Sequence, residues 1–169
     1  FCTSATHEIG MQPLLDAILK LVPSPADHPA IKVQGAAGEE ELAPSDTSAL
    51  AAYVWKTTAD PFVGKQTFFR VYSGSINSDS RYWNVTREVE ERFGTISIAR
   101  GKEMIPVKVL HAGDIGVVPK LSETATSDTL GDKAHPVIIP IPEFPSALYR
   151  VAVFPKTQAD STKISPTLT

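Results

Sequence analysis

Cysteine is nearly missing: Cys2 is the only one in 169 residues. One thiol cannot form an internal disulfide, and it rules out a cysteine-rich zinc site. Such usage fits a reducing compartment. Long apolar runs are also lacking. None approaches the roughly 18–20 residues that cross a bilayer as a helix, and the first residues do not have the layout of a secretory leader. An excess of positive charge is absent too. Sixteen Lys and Arg stand against 19 Asp and Glu, for a net charge of −3. That excludes a strongly basic nucleic-acid binder as a description of the whole chain. The four histidines, His7, His28, His111 and His135, show no metal-ligand spacing,. No G-x-x-x-x-G-K-[ST] phosphate loop occurs either,.

What is present suits one or two small folded domains. Hydrophobic residues make up 42% and charged residues 21%, an ordinary globular balance. The 14 prolines are clustered. Pro23, Pro25 and Pro29 mark one break, and Pro136, Pro140, Pro142 and Pro145 another. The chain opens on Phe1 and closes on Ile164-Ser165-Pro166-Thr167-Leu168-Thr169, so both ends are expected to continue into a longer polypeptide. Charge is uneven. Residues 1–64 carry −5, residues 65–108 carry +3 and residues 109–169 carry −1. The middle segment reads either as a solvated face or as one that meets a polyanion.

Leu14, Leu15, Ile18, Leu19 and Val22 recur at helical spacing, which predicts a helix from Gln12 to Leu21,. Pro13 suits its first turn, and Pro23 and Pro25 stop it. Asp16 and Lys20 are four apart and placed to pair. Residues 26–47 are expected to form a solvated connector. Its Gly35-x-x-Gly38 is no phosphate cradle, because Glu39-Glu40-Glu41 would repel the anion,. From Leu50 to Leu121 the pattern turns to short strands at about ten-residue spacing, broken by Asp60-Pro61, Gly64, Asn77-Ser78-Asp79, Gly101 and Gly113-Asp114. That spacing predicts a closed barrel or sandwich. Leu148–Phe154 reads as a further strand, with a helix expected near Asp160 or at Ser165. Cys2 is expected to be a buried strand residue rather than a nucleophile. Trp55, Phe68, Phe69, Tyr72, Tyr82 and Trp83 either fill the barrel core or offer stacking surfaces to bases.

Several stretches, taken in order, resemble the elongation factor G family of multidomain translational GTPases. They are Phe1-Cys2-Thr3-Ser4-Ala5 with Gly10-Met11-Gln12-Pro13-Leu14-Leu15; Thr57-Thr58-Ala59-Asp60-Pro61-Phe62-Val63-Gly64-Lys65; Phe68-Phe69-Arg70-Val71-Tyr72-Ser73-Gly74; and Glu91-Arg92-Phe93-Gly94. Ala112-Gly113-Asp114-Ile115, Ser127-Asp128-Thr129-Leu130, Glu143-Phe144-Pro145 and Val153-Phe154-Pro155-Lys156-Thr157 follow. Ser127 stands where the family usually has Gly, and Arg100-Gly101-Lys102 where it tends to carry a His-Ala-Asn type sequence.

The resemblance implies a mainly β fold, a translation-factor-type closed β-barrel with a short N-terminal helix and the start of a ferredoxin-like α+β domain. Residues 1–28 would be the tail of the GTPase domain, 29–47 an acidic linker, 48–141 the barrel, and 142–169 a linker with the first strand of a third domain. It implies a cytoplasmic parent that uses GTP and magnesium and works on the ribosome, with no membrane partner. The barrel would dock on small-subunit ribosomal RNA and couple the GTPase domain to later domains during translocation. Lys65, Arg70, Arg81, Arg87 and Arg92 are the candidate RNA-contacting residues, and Ser4 with Ala5 would be a remnant of the guanine-base loop. Without a phosphate loop or an Asn-Lys-x-Asp guanine reader, this chain holds no catalytic set and is expected to be inactive alone. Two other readings stand beside this one: a ribosomal-protection or other translational GTPase paralogue, and a free-standing all-β binding module.

Overall fold

The computed structural model describes residues 1–60, 63–143 and 145–168. Pro61 and Phe62 of the expected turn, and Phe144, lie outside the described residues. The chain begins with helix α1 (Met11–Leu21) and a 3₁₀ turn (Pro25–Asp27). A first group of strands follows: β1 (Ile31–Gly35), β2 (Gly38–Leu42), β3 (Ala51–Asp60), β4 (Gly64–Ser73), β5 (Ile76–Asn77), β6 (Arg81–Asn84) and β7 (Val89–Arg92). Then come β8 (Ile96–Arg100), β9 (Glu103–Val107), β10 (Val109–Leu110), β11 (Ile115–Pro119), β12 (Thr129–Gly131) and β13 (Val137–Ile138), with helix α2 (Gln158–Leu168) last.

Eight strands make one antiparallel sheet in the order β7-β6-β12-β3-β4-β11-β8-β9. Period-two alternation dictates its two faces. Leu50, Ala52 and Val54 on or beside β3, with Phe69 and Val71 on β4, point inward. They meet Ile76, Phe93, Ile96, Leu110, Val118, Leu121 and Leu130 in one core. Each fully buried Phe, Ile or Leu contributes about 1.5–3 kcal/mol. The sheet curls, and the segment before β6 bridges its two ends. Ser78 donates its N–H to Lys108 O at 2.9 Å and its hydroxyl to Val107 O at 2.8 Å. The same hydroxyl accepts the Ile96 N–H at 3.0 Å. Asp79 N–H donates to Gly94 O and Phe93 N–H to Ser80 O. The β5–β10 ribbon lies beside these bonds. The result is the expected mainly β fold with its short N-terminal helix.

The expected connector is not a loop. β1 and β2 form a hairpin whose two-residue turn is Ala36-Ala37, and β1 also pairs with β13. Ile31 and Val33 alternate with Lys32 and Gln34, and Val33 is buried with Leu42 against Ala51, Tyr53, Val137 and Ile139. The hairpin therefore covers the outer face of β3. Carboxylates do not prevent a strand when partners hold them. Lys32 pairs with Glu39 at 3.2 Å and His135 with Glu40 at 3.1 Å.

Helix α1 forms where expected but buries none of its residues, leaving Leu15, Leu19 and Leu21 exposed. Asp16 accepts a hydrogen bond from Gln12 rather than pairing with Lys20. Leu148–Phe154 does not form the expected strand. It has no regular structure, and Leu148 is 99% exposed. The sequence pattern is strand-like, but among the described residues no neighbouring strand takes up its backbone N–H and C=O groups, and an unpaired strand has no ladder to form. Helix α2 starts near Asp160 as expected, where the Asp160 N–H donates to Thr157 Oγ1 and the Thr157 hydroxyl to the Asp160 carboxylate,. Cys2 is exposed and lies outside any strand, against expectation. The residues around it bury no core that could enclose a thiol.

Candidate nucleic-acid interface

Strands β6 and β7 pair with Arg81 opposite Arg92 and Trp83 opposite Glu90. Alternation buries Asn84 and Glu91 and leaves Arg81, Glu90 and Arg92 exposed or partly so, with Trp83 partly exposed. Two arginines directly across a strand pair repel. Glu90 relieves this by binding Arg81 at 2.7 Å, and Arg92 has no acidic partner among the described residues. Lys133 adds a third cation, its ammonium 4.6 Å from the centre of the Trp83 ring,. The outer face of β6–β7 thus gathers Arg81, Arg92, Lys133 and an indole around the Glu90 carboxylate.

The other three basic candidates lie elsewhere. Arg87 lies across a buried carboxylate while staying about half exposed: its Nε donates to both Asp128 oxygens, at 3.0 and 3.3 Å. Asp128 is 2% exposed and also accepts from Asn84 Nδ2 at 2.9 Å and the Ala125 N–H at 2.8 Å. Next to it, Glu91 Oε1 accepts from the Glu123 and Thr124 N–H groups and the Thr124 hydroxyl. This polar knot fixes the loop before β12 to β6 and β7. The sequence reading missed it, because Asn84, Arg87, Glu91 and Asp128 lie on two polar strands, a turn and a loop that no local pattern brings together. Lys65 and Arg70 sit on β4, which β12 and β3 separate from β6. Lys65 reaches Ser122 O at 3.3 Å. Arg70 lies over the Tyr72 ring, 5.0 Å from its centre.

The aromatic residues divide. Phe69 and Tyr82 pack on Phe93 in the core, and Tyr72 packs against the hairpin. Trp55 is the extra residue of a β-bulge between Val54 and Lys56, 45% exposed and 5.7 Å from Phe68,. At the N-terminus, Ser4 and Ile9 exchange backbone hydrogen bonds at 3.0 and 3.1 Å, making a small turn. Its Ser4 N–H is therefore taken, while the Ala5 N–H has no partner among the described residues.

The histidines join loops. His111 Nδ1 meets Asp46 Oδ2 at 2.7 Å, and its backbone N–H donates to Asp114 Oδ2 at 2.8 Å. The Ala112 N–H, then His111, hold the Asp46 carboxyl below its ordinary value of 3.8,. Among the described residues no group of three or more His, Cys, Asp or Glu is placed to hold a metal ion. No described helix is long and apolar enough to cross a membrane.

The curled sheet, its bridging ribbon and its cation-bearing outer strands define a small β-barrel of translation-factor type. Residues 49–133 match the family model of elongation factor G domain 2, and the chain belongs to that family. It is 39% identical over 172 residues to the elongation factor G of Salinibacter ruber, covering 100% of this chain and 24% of that protein. A crystal structure from Thermus thermophilus matches its fold with a TM-score of 0.75 at 24% identity, over 98% of this chain and 23% of that one. The chain spans about a quarter of the length of the relatives it matches.

Proposed function

We propose that this chain is the RNA-docking and domain-coupling part of an elongation factor G-type translational GTPase. Residues 1–28 are the tail of the GTPase domain, the barrel is the docking module, and residues 142–169 lead into a third domain. The parent hydrolyses GTP with magnesium in the cytoplasm, and the barrel rests on small-subunit ribosomal RNA while the outer domains move. The observation that carries the docking reading is the placement of Arg81, Arg92 and Lys133 on one outer face. Cations that outnumber the carboxylate among them, beside an aromatic ring, suit phosphate contacts with little base reading. Lys65 and Arg70 belong to a separate region, and Arg87 serves the barrel.

The test uses the full-length parent. Arg81→Glu and Arg92→Glu should each weaken association with small ribosomal subunits at low salt, while circular dichroism shows a folded protein. Folded variants that sediment with subunits like the parent would sink the docking assignment.

A further inference from the structure

A cavity of about 250 Å³ opens between the connector after α1 and the outer face of β4. Pro25, His28 and Pro29 line one side, and Leu42, Arg70 and Tyr72 the other. Gly113 closes it with φ of 101°, in contact range of Pro25; a Cβ there would stand 2.4 Å from the proline ring. No carboxylate lines the cavity. The Arg70 guanidinium has no hydrogen-bond acceptor or acidic partner among the described residues, and its Nε is buried without a partner. The Tyr72 ring holds it in place at 5.0 Å. A desolvated, unpaired arginine donor is costly, and its fork matches an oxyanion.

We infer that this cavity binds a phosphate ester, the terminal Nη groups of the partly exposed Arg70 taking the phosphate oxygens and the proline and leucine walls the attached sugar carbons. Size supports the class: pockets for drug-sized ligands usually run from about 300 Å³ upward, so a phosphate with its sugar fits better than a whole nucleotide. His28 lines the same wall as the prolines. The site is separate from the Arg81–Arg92 face and does not depend on the docking reading. The ester is either a free sugar phosphate or part of an RNA backbone, and a short RNA added to the titration that binds more tightly than ribose 5-phosphate assigns the second.

Titration of the whole chain with inorganic phosphate and with ribose 5-phosphate, followed by calorimetry and amide NMR, tests this. Saturable binding is expected, with shifts at the His28, Tyr72 and Gly113 amides. Arg70→Gln should weaken it at least tenfold, and Arg70→Lys less, since Lys keeps the charge but not the fork. Tenfold preference for ribose 5-phosphate supports the ester; equal affinity for both probes would leave the walls without a sugar to hold and overturn it. Absence of saturation, an unchanged Arg70→Gln, or amide shifts confined to other surfaces would overturn the site. If Arg70→Gln does not fold, the amide shifts of the unaltered chain decide. If phosphate titrates this cavity while Arg81→Glu and Arg92→Glu leave ribosome association intact, only the docking reading fails.

Discussion

Asp128 shows how one residue can commit its neighbours. Its buried carboxylate collects donors from Asn84, Arg87 and Ala125, so the half-exposed Arg87 charge is engaged by the barrel. Arg87→Ala leaves that carboxylate short of its cation, and hydrogen bonds to charged groups contribute about 1.5–3 kcal/mol. Arg87→Ala should therefore lower stability by about 2 kcal/mol, read from the urea midpoint at pH 7, and an unmoved midpoint would make Arg87 an ordinary surface cation. The residue before Asp128 carries a different strain. Ser127 has φ of 74°, a left-handed conformation that costs a side-chain-bearing residue roughly 1–2 kcal/mol. The Tyr53 hydroxyl gives only a long bond to Ser127 Oγ, 3.3 Å, in return. Ser127→Gly should raise the melting temperature by roughly 2–4 °C. A fall would show that the hydroxyl contact outweighs the backbone strain.

At the scale of elements, the β1–β2 hairpin and the loops beside it hold to the barrel by small contacts. Asp46 ties the loop before β3 to the loop before β11 through His111 and the Ala112 N–H. Its folded carboxyl titrates below 3.8, so its stabilisation is fully present above that value and disappears as pH falls through the lower, folded value. Asp46→Asn should thus lower the melting temperature at neutral pH, and the gap from the unaltered protein should close in strong acid. A gap that persists below about pH 2 would mean the tie does not depend on the charge. The barrel strands were legible because Phe69, Val71 and Val118 alternate with polar groups between turn residues. The hairpin was not, because three consecutive glutamates and two glycines read locally as solvent. What makes it a strand pair is distant: Val137, Tyr53 and His135. Leu148–Phe154 failed the other way, with a strand pattern but no partner. The candidate cations could be named from charge together with the family resemblance, but only the folded chain shows that strand register sets Arg81 opposite Arg92 while the turn after β6 brings Arg87 to Asp128.

At the scale of the whole molecule, the hairpin's packing on β3 shifts where the barrel unit begins. Val33 and Leu42 share a core with Ala51, Tyr53, Val137 and Ile139, so a chain of residues 29–141 should unfold at a higher temperature than one of 48–141. Equal melting would make the hairpin an appendage. The missing phosphate loop bears on the same scale: calorimetric titration with GTP and magnesium should give no micromolar binding by this chain. The docking face predicts more than weak affinity. The chain as a whole is acidic, at −3, so attraction to RNA is local, and on the docking reading it comes from Arg81, Arg92 and Lys133. Phosphate contacts release counterions, and log K falls with log salt by about 0.7 to 0.9 per phosphate neutralised. Three cations therefore predict a slope of roughly −2 to −3 for the isolated chain on ribosomal RNA, with dissociation constants near the non-specific range of about 10⁻⁴ M. Arg92→Glu should flatten that slope by about one, whatever the RNA sequence. On the docking reading, tethering to the other domains of a longer parent would make so weak a contact sufficient. A slope that stays the same in folded Arg92→Glu, or one that depends on sequence, would place the RNA on another face, with Lys65 and Arg70 on β4 the next to test.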